Sequence, residues 1–299
     1  MTELSHGCRV AVIRLRSLGD CVLTTPALEI LKRARPDVRI AVVVEDRFRA
    51  IFEGNPDIEA ILDPSWRRLR AWRPDLCLNL HGGSASARLT VLSGARLRAG
   101  FAHYRWRPIY NVRIPRAQQI LGEERPMHTV EHLASAMFYL GAPRVEIPRA
   151  RLFAGLPGVA RAYAVIHAAA SAPDKTWPAA RYASMARFLQ ESLDLEPVFI
   201  GGPGDDLLAF AAYRTMVGAP LAQIKSLLRG AALFLGNDSG PAHMAAAFGL
   251  PVVVLFGSSD PAIWHPWRTA SVVLHDRAGI AAIREDQVRQ ALERMRVPA

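Results

Sequence analysis

The sequence predicts an α/β protein made of two successive open domains, each built on a parallel sheet. Three observations carry this. Short apolar runs rich in Val, Ile and Leu end in small or polar turns and lead into helix-compatible sequence. A second series of the same kind follows a Pro/Gly-rich break, and 299 residues suit two domains of about 150. Strands separated by helices pair in parallel, because each crossover lays a helix on a sheet face.

The first run, Arg9 to Leu15 (RVAVIRL), reads as a strand that ends in the tight loop Arg16-Ser17-Leu18-Gly19-Asp20, with a helix expected from Val22 to Ala34. Val38 to Val44 and Leu76 to Leu80 are further buried strands. Pro143 to Pro157 reads as the linker. Beyond it, strands at Tyr163 to His167, Pro197 to Ile200, Ala232 to Gly236 and Pro251 to Phe256 alternate with helices near Ala179 to Ser192, Leu221 to Arg229 and Pro241 to Phe248. Ile283, Val288, Leu292 and Met295 recur at near-helical spacing and mark a terminal amphipathic helix. The expected division is residues 1–150, residues 151–280, and residues 281–299 as a helix packing back toward the N-terminal domain. Two such domains create a cleft at the carboxyl ends of their strands, where ligands of open sheets bind.

With 51% hydrophobic and 21% charged residues the chain is neither disordered nor a small disulfide scaffold. The longest stretch free of charge and His, Met244 to Ser259, is shorter than the roughly 20 apolar residues a membrane helix needs. No secretory pattern stands near the N-terminus. Cys8, Cys21 and Cys77 lack metal-type spacing, so reduced thiols in a cytoplasmic compartment are expected, with no metal site. The formal charge of +10 is almost wholly arginine, since only Lys32, Lys175 and Lys225 are lysines. It favours an acidic partner. Nucleic acid is not expected, because no recognition motif accompanies the arginines.

Several strand-to-helix turns could carry chemistry. Asp20 follows the first strand, where a carboxylate can take a proton or simply cap the next helix. Lys175, in His167-Ala-Ala-Ala-Ser171-Ala-Pro-Asp-Lys175-Thr-Trp-Pro178, is a point charge for phosphate or a solvated loop lysine beside a packed Trp177. The turn Asn237-Asp238-Ser239-Gly240, running into Pro241-Ala-His243, can present backbone N–H groups to an anion at a positive helix end, or act as an Asx-turn and cap. Asp205 in Gly-Gly-Pro-Gly-Asp205 could accept from ribose hydroxyls. The cluster Arg67, Arg68, Arg70 and Arg73 could receive an acidic acceptor or form a solvated face. There is no GxGxxG fingerprint, no Walker A sequence and no GxSxG elbow.

Taken together, RLRSLGDCVLTTPAL (14–28), DKTWP (174–178), GGPGD (201–205), LGNDSGPAHMAAAFGLPVVVLFG (235–257) and DPAIWHPW (260–267) resemble the bacterial heptosyltransferases, glycosyltransferase family 9. The resemblance implies a GT-B architecture of two Rossmann-like domains with parallel sheets facing an interdomain cleft. It also implies inverting, metal-independent transfer from a nucleotide-sugar, best known as ADP-heptose, to an acidic lipopolysaccharide inner-core glycolipid. Asp20 matches the family's general base. Ser171, Lys175, Asp205, Asp238, Ser239, Gly240 and His243 match donor-binding positions, and no cofactor is implied. A cytoplasmic site with peripheral contact at the inner membrane fits the same resemblance. Transfer of another sugar, a nucleotide-sugar epimerase and a noncatalytic binding protein are the alternatives. Ala168-Ala169-Ala170 departs from the family's Pro-Gly-containing turn.

Overall fold

The computed structural model describes residues 5–158, 161–170 and 172–295. It divides into two compact units, Met1–Phe153 and Ala154–Ala299. The first contains β1 (Arg9–Ile13), α1 (Leu18–Ala34), β2 (Arg39–Val43), β3 (Ala60–Leu62), α2 (Trp66–Ala71), β4 (Leu76–Asn79), α3 (Ser84–Leu92), β5 (Leu97–Phe101), β6 (Val112–Ile114), α4 (Ala117–Leu121) and α5 (Thr129–Tyr139). Its six strands are all parallel in the order β3-β2-β1-β4-β5-β6. The sheet therefore grows outward in one direction from β1 and, after β3, in the other from β4. With right-handed crossovers this reversal puts α1 on one face and α2, α3 and the 3-10 turn Arg107–Ile109 on the other. The packing agrees: α5 lies along α1, whereas α3 touches both α2 and that turn.

The second unit repeats the design with β7 (Tyr163–His167), α6 (Ala179–Ser192), β8 (Glu196–Gly201), β9 (Arg214–Val217), α7 (Leu221–Gly230), β10 (Leu233–Asn237), α8 (Gly240–Phe248), β11 (Val252–Phe256), α9 (Pro261–Trp264), β12 (Ser271–His275) and α10 (Glu285–Arg294). Its parallel order, β12-β11-β10-β7-β8-β9, reverses between β7 and β10. In both units the central strands are buried along their length, as strands covered on two faces must be. These are the α/β, GT-B-type Rossmann-like domains that the sequence predicts.

Two expectations change. Helix α1 starts at Leu18 rather than Val22, because Ser17 is its N-cap and Asp20, at the third helical position, reaches back to accept from the Ser17 N–H at 3.3 Å. The terminal helix, expected to return toward the N-terminal domain, packs into its own unit. Val288, Ala291 and Leu292 of α10 are buried in one core with Met185 and Leu189 of α6. The Trp177 indole and the Arg181 guanidinium both donate to the Ile283 carbonyl just ahead of α10, and Ser184 donates to Glu285. The apolar stripe was legible; the surface it covers was not.

Candidate active site

Each sheet reverses its strand order at one place, between β1 and β4 and between β7 and β10, and the crevice outside the carboxyl ends at such a place is where open α/β sheets bind ligands. Asp20 lies at the first, in the opening turn of α1. Its carboxylate accepts from the Ser17 hydroxyl at 2.9 Å and from Arg14 Nη1 at 3.3 Å, and its side chain keeps 23% exposure. Arg14 is buried, and its Nε has no partner among the described residues. The carboxylate is thus a helix-start residue and, at the same time, a partly open group held by a buried cation.

His81 joins this crevice from the turn after β4. Fully buried Asn79 shapes that turn by accepting from the N–H groups of His81 and Gly82, each at 3.0 Å, and donating to Tyr110 at 2.8 Å. Gly82 has φ +80°, and a Cβ there would sit 2.9 Å from the Tyr104 ring, so glycine is required. Tyr104 donates to the Leu80 carbonyl at 3.2 Å. Burial, with Arg14 and Arg16 beside it, holds the His81 imidazole below its usual value. Beyond it, His132 stacks on Phe101 at 4.0 Å and faces His103 at 5.4 Å between ring centroids. Burial, then His103 and Arg14, push His132 down to about 4.

In the second crevice, His167 ends β7 and Ser239 caps α8. Ser239 Oγ lies 3.0 Å from His167 Nδ1 and makes no cap hydrogen bond to its own helix. The start of α8 therefore keeps its outward amides clear of a side-chain cap, with Pro241 contributing none. Burial pushes His167 down to about 4, against the pull of nearby Asp205, so it is neutral at pH 7. Asn237, at the end of β10, ties the surrounding loops together. It donates to the Ala168 carbonyl at 2.8 Å and accepts from the Trp177 N–H at 3.2 Å and the Tyr182 hydroxyl at 2.7 Å. A fully buried asparagine thus ends the same strand position in both units.

Lys175 closes the 3-10 turn Pro173–Lys175, and its ammonium makes no hydrogen bond or ion pair among the described residues. Trp177 behind it is fully buried, so the anchor reading and the phosphate reading of this loop coexist. Gly257, after β11, fixes how near the loop comes: a Cβ there would lie 2.0 Å from the Asp174 carbonyl oxygen and 2.9 Å from Lys175 Cα.

The remaining sequence candidates separate. Asp238 and Gly240 flank Ser239 at this helix start, with the Asp238 N–H on the Leu255 carbonyl at 2.9 Å. His243 is buried along α8, 6.3 Å from the Trp264 ring, packing inward rather than at the helix tip. Asp205 spends one oxygen on the Gly202 N–H at 2.7 Å, bracing its own glycine loop. Ser171 lies outside the described residues. Arg67, Arg68 and Arg70 are exposed on α2, with Arg68 paired to Asp63 at 3.0 Å. Arg73 follows α2 and precedes β4, at the amino end of the sheet, away from the strand ends that hold Asp20. The arginine that meets Asp20 is Arg14, which sequence reasoning did not single out. The signal for His81, a His-Gly-Gly turn between strand and helix, was present and unused.

The neutral histidines have a consequence for stability. A histidine held near 4 in the fold and about 6.5 when unfolded leaves the unfolded chain binding more protons between those values, so stability falls as pH falls through that window. We expect urea denaturation to report losses of up to about 3 kcal/mol from each of His132 and His167 between pH 7 and pH 4. Replacing each with Gln should flatten the slope. An unchanged slope would show that neither is buried neutral.

Comparison with known proteins is consistent across sequence and structure. The glycosyltransferase family 9 (heptosyltransferase) model matches residues 64–290. Lipopolysaccharide heptosyltransferase 3 of Escherichia coli is 28% identical over 298 residues, covering 85% of this chain and 84% of its own. A family 9 glycosyl transferase from Veillonella parvula superposes with a TM-score of 0.85 at 23% identity, covering 96% of this chain and 97% of its own. The Escherichia coli heptosyltransferase WaaC, solved with ADP, gives a TM-score of 0.78 at 21% identity over 96% and 99%. Among the described residues no helix is long and apolar enough to cross a membrane.

Proposed function

Since this chain belongs to glycosyltransferase family 9, the heptosyltransferase family, we propose that it transfers heptose from ADP-heptose to an acidic inner-core glycolipid of lipopolysaccharide, with inversion and without a metal. The observation that carries the reading is the uncapped start of α8, whose N-cap hydroxyl is turned onto His167. A diphosphate is the ligand such a helix end accepts, and WaaC, which shares the fold, was solved with ADP.

The second unit holds the donor. Amides at Ser239 and Gly240 and the Lys175 ammonium receive the diphosphate, while Asp238 accepts from the donor sugar's hydroxyls. The first unit supplies the base. Asp20 takes the proton of the acceptor hydroxyl as its oxygen attacks the anomeric carbon from the side opposite the diphosphate. The new C–O bond forms, the bond from the anomeric carbon to the diphosphate oxygen breaks, and the departing nucleoside diphosphate keeps the electron pair. Its added negative charge falls on Lys175 and the positive end of α8, groups that can replace a divalent cation. Attack from the opposite face leaves the product with inverted anomeric configuration.

The test is product detection by mass spectrometry after mixing the purified protein with ADP-heptose and a Kdo-terminated lipid acceptor. An acceptor heavier by one heptose supports the reading. Hydrolysis or epimerisation of the donor without that product would overturn it.

A further inference from the structure

Arg14 continues the pleat of β1 by one residue, its N–H on the Val43 carbonyl at 3.1 Å. Ala11, Ile13 and Leu15 pack with Leu69 and Leu89 in the core under α2 and α3, so by alternation Arg14 turns to the opposite face of the sheet, the side of α1. A guanidinium buried at the end of an apolar strand needs a partner held close, because it has been taken out of water. The side chain keeps only 7% exposure, and among the described residues its guanidinium makes one hydrogen bond, from Nη1 to Asp20 Oδ1 at 3.3 Å.

Among the described residues Asp20 is also the one carboxylate paired with this cation. The Arg14 charge acts on His81 after β4, Tyr104 after β5 and His132 of α5, and burial keeps all three uncharged at neutral pH, pushing both imidazoles down and the phenol up. Glu45, whose N–H meets the Leu15 carbonyl, pairs with Arg47 at 2.7 Å instead. The pairing also distinguishes the two oxygens of Asp20. A carboxylate oxygen has about two lone-pair sites. Oδ2 already accepts twice, from the Ser17 N–H at 3.3 Å and the Ser17 hydroxyl at 2.9 Å, whereas Oδ1 accepts from Arg14 alone and keeps one site open.

We propose that Arg14 is a positioning residue for the transfer, clamping Asp20 against Ser17 so that Oδ1 takes the proton of the acceptor hydroxyl while that hydroxyl's electron pair forms the bond to the anomeric carbon. The proposal rests on the functional reading of Asp20 as base. A buried guanidinium suits the task better than a surface one, since it has little water to exchange its partner for.

The experiment is steady-state kinetics with ADP-heptose and the Kdo-terminated lipid acceptor, beside thermal melting, for the full chain and for Arg14→Met, Arg14→Lys and Arg14→Met combined with Asp20→Asn. Arg14→Met should lower kcat by about 10²-fold with the donor KM unchanged, the loss that a shift of about 1 Å in a reacting group brings. Arg14→Lys, a point charge in place of a fork, should recover about tenfold of it, and this variant carries the test if Arg14→Met does not fold. The double variant should be no slower than Asp20→Asn alone, because Arg14 acts through Asp20, and should melt above that single variant, because no buried charge is left unpaired. Unchanged kcat in Arg14→Met, a raised donor KM with kcat intact, or losses that multiply in the double variant would overturn the role. So would a double variant that melts below both singles. A wild type that transfers no heptose although the melting temperatures behave as expected would remove the transferase reading itself, and this role with it.

Discussion

Asp20→Asn is expected to lower kcat by about 10²–10⁴ while ADP binding, which the proposed mechanism gives to the other unit, stays as in the wild type. The size of the loss separates the helix-start role of Asp20 from the proposed role as base. As a helix-start carboxylate it accepts from the Ser17 N–H and hydroxyl, and asparagine retains one accepting oxygen for those bonds. The charge it removes from the first turn of α1 is worth roughly 0.3–1 kcal/mol to the helix. A kcat loss of two to four decades corresponds to about 2.7–5.4 kcal/mol at the transition state, which capping cannot supply. Asparagine also leaves buried Arg14 without its counter-charge, so the melting temperature should be read beside kcat. A stable variant with lost turnover supports the base. A variant with unchanged turnover would reduce Asp20 to a cap.

Gly257→Ala should raise the donor KM and cut kcat/KM by about 10²-fold, although residue 257 need not touch the donor. The added methyl would meet the Asp174 carbonyl oxygen at 2.0 Å, and this contact is with backbone, so the Pro173–Lys175 turn must retreat by about 1 Å or more. The turn is held from behind, by the Trp177 N–H on Asn237 and the Thr176 hydroxyl on the Ala172 carbonyl, so it cannot move without straining those bonds. Lys175 would be carried away from the place where the proposed mechanism develops the diphosphate charge. If the effect runs through Lys175, the double variant with Lys175→Ala will be no worse than the poorer single one. Additive losses, or an unchanged donor KM in Gly257→Ala, would show that this close approach does not place the lysine.

The two substitutions differ in how visible their positions were beforehand. Asp20 stands out locally, as a carboxylate at the end of a Val/Ile run and the start of a helical pattern. The central strands were legible for the same reason, since residues buried on both faces must be apolar throughout. The outer strands were not. β3 is only half-buried, β5 contains Arg98 and Gly100, and β9 reads as a mostly exposed Arg-Thr-Met-Val. β3 and β9 are edge strands and bury less, so their composition is less constrained, whereas β5 is interior and its apolar run is broken by Arg98 and Gly100.

Sequence by itself determined the α/β class, the two-domain plan and the turns where chemistry could sit, because periodicity and turn composition act over a few residues. Tertiary structure alone decided what meets at those turns. Arg14 holds Asp20, His81 approaches from the end of β4, Asn237 binds loops from Ala168 and Trp177, His167 turns the Ser239 hydroxyl off its helix, and Gly257 admits Lys175. It also sent α10 into the core of its own unit. These are pairings between segments up to about a hundred residues apart, set by the order in which parallel strands lie side by side; a linear pattern records each partner's chemistry and not its neighbour across the sheet.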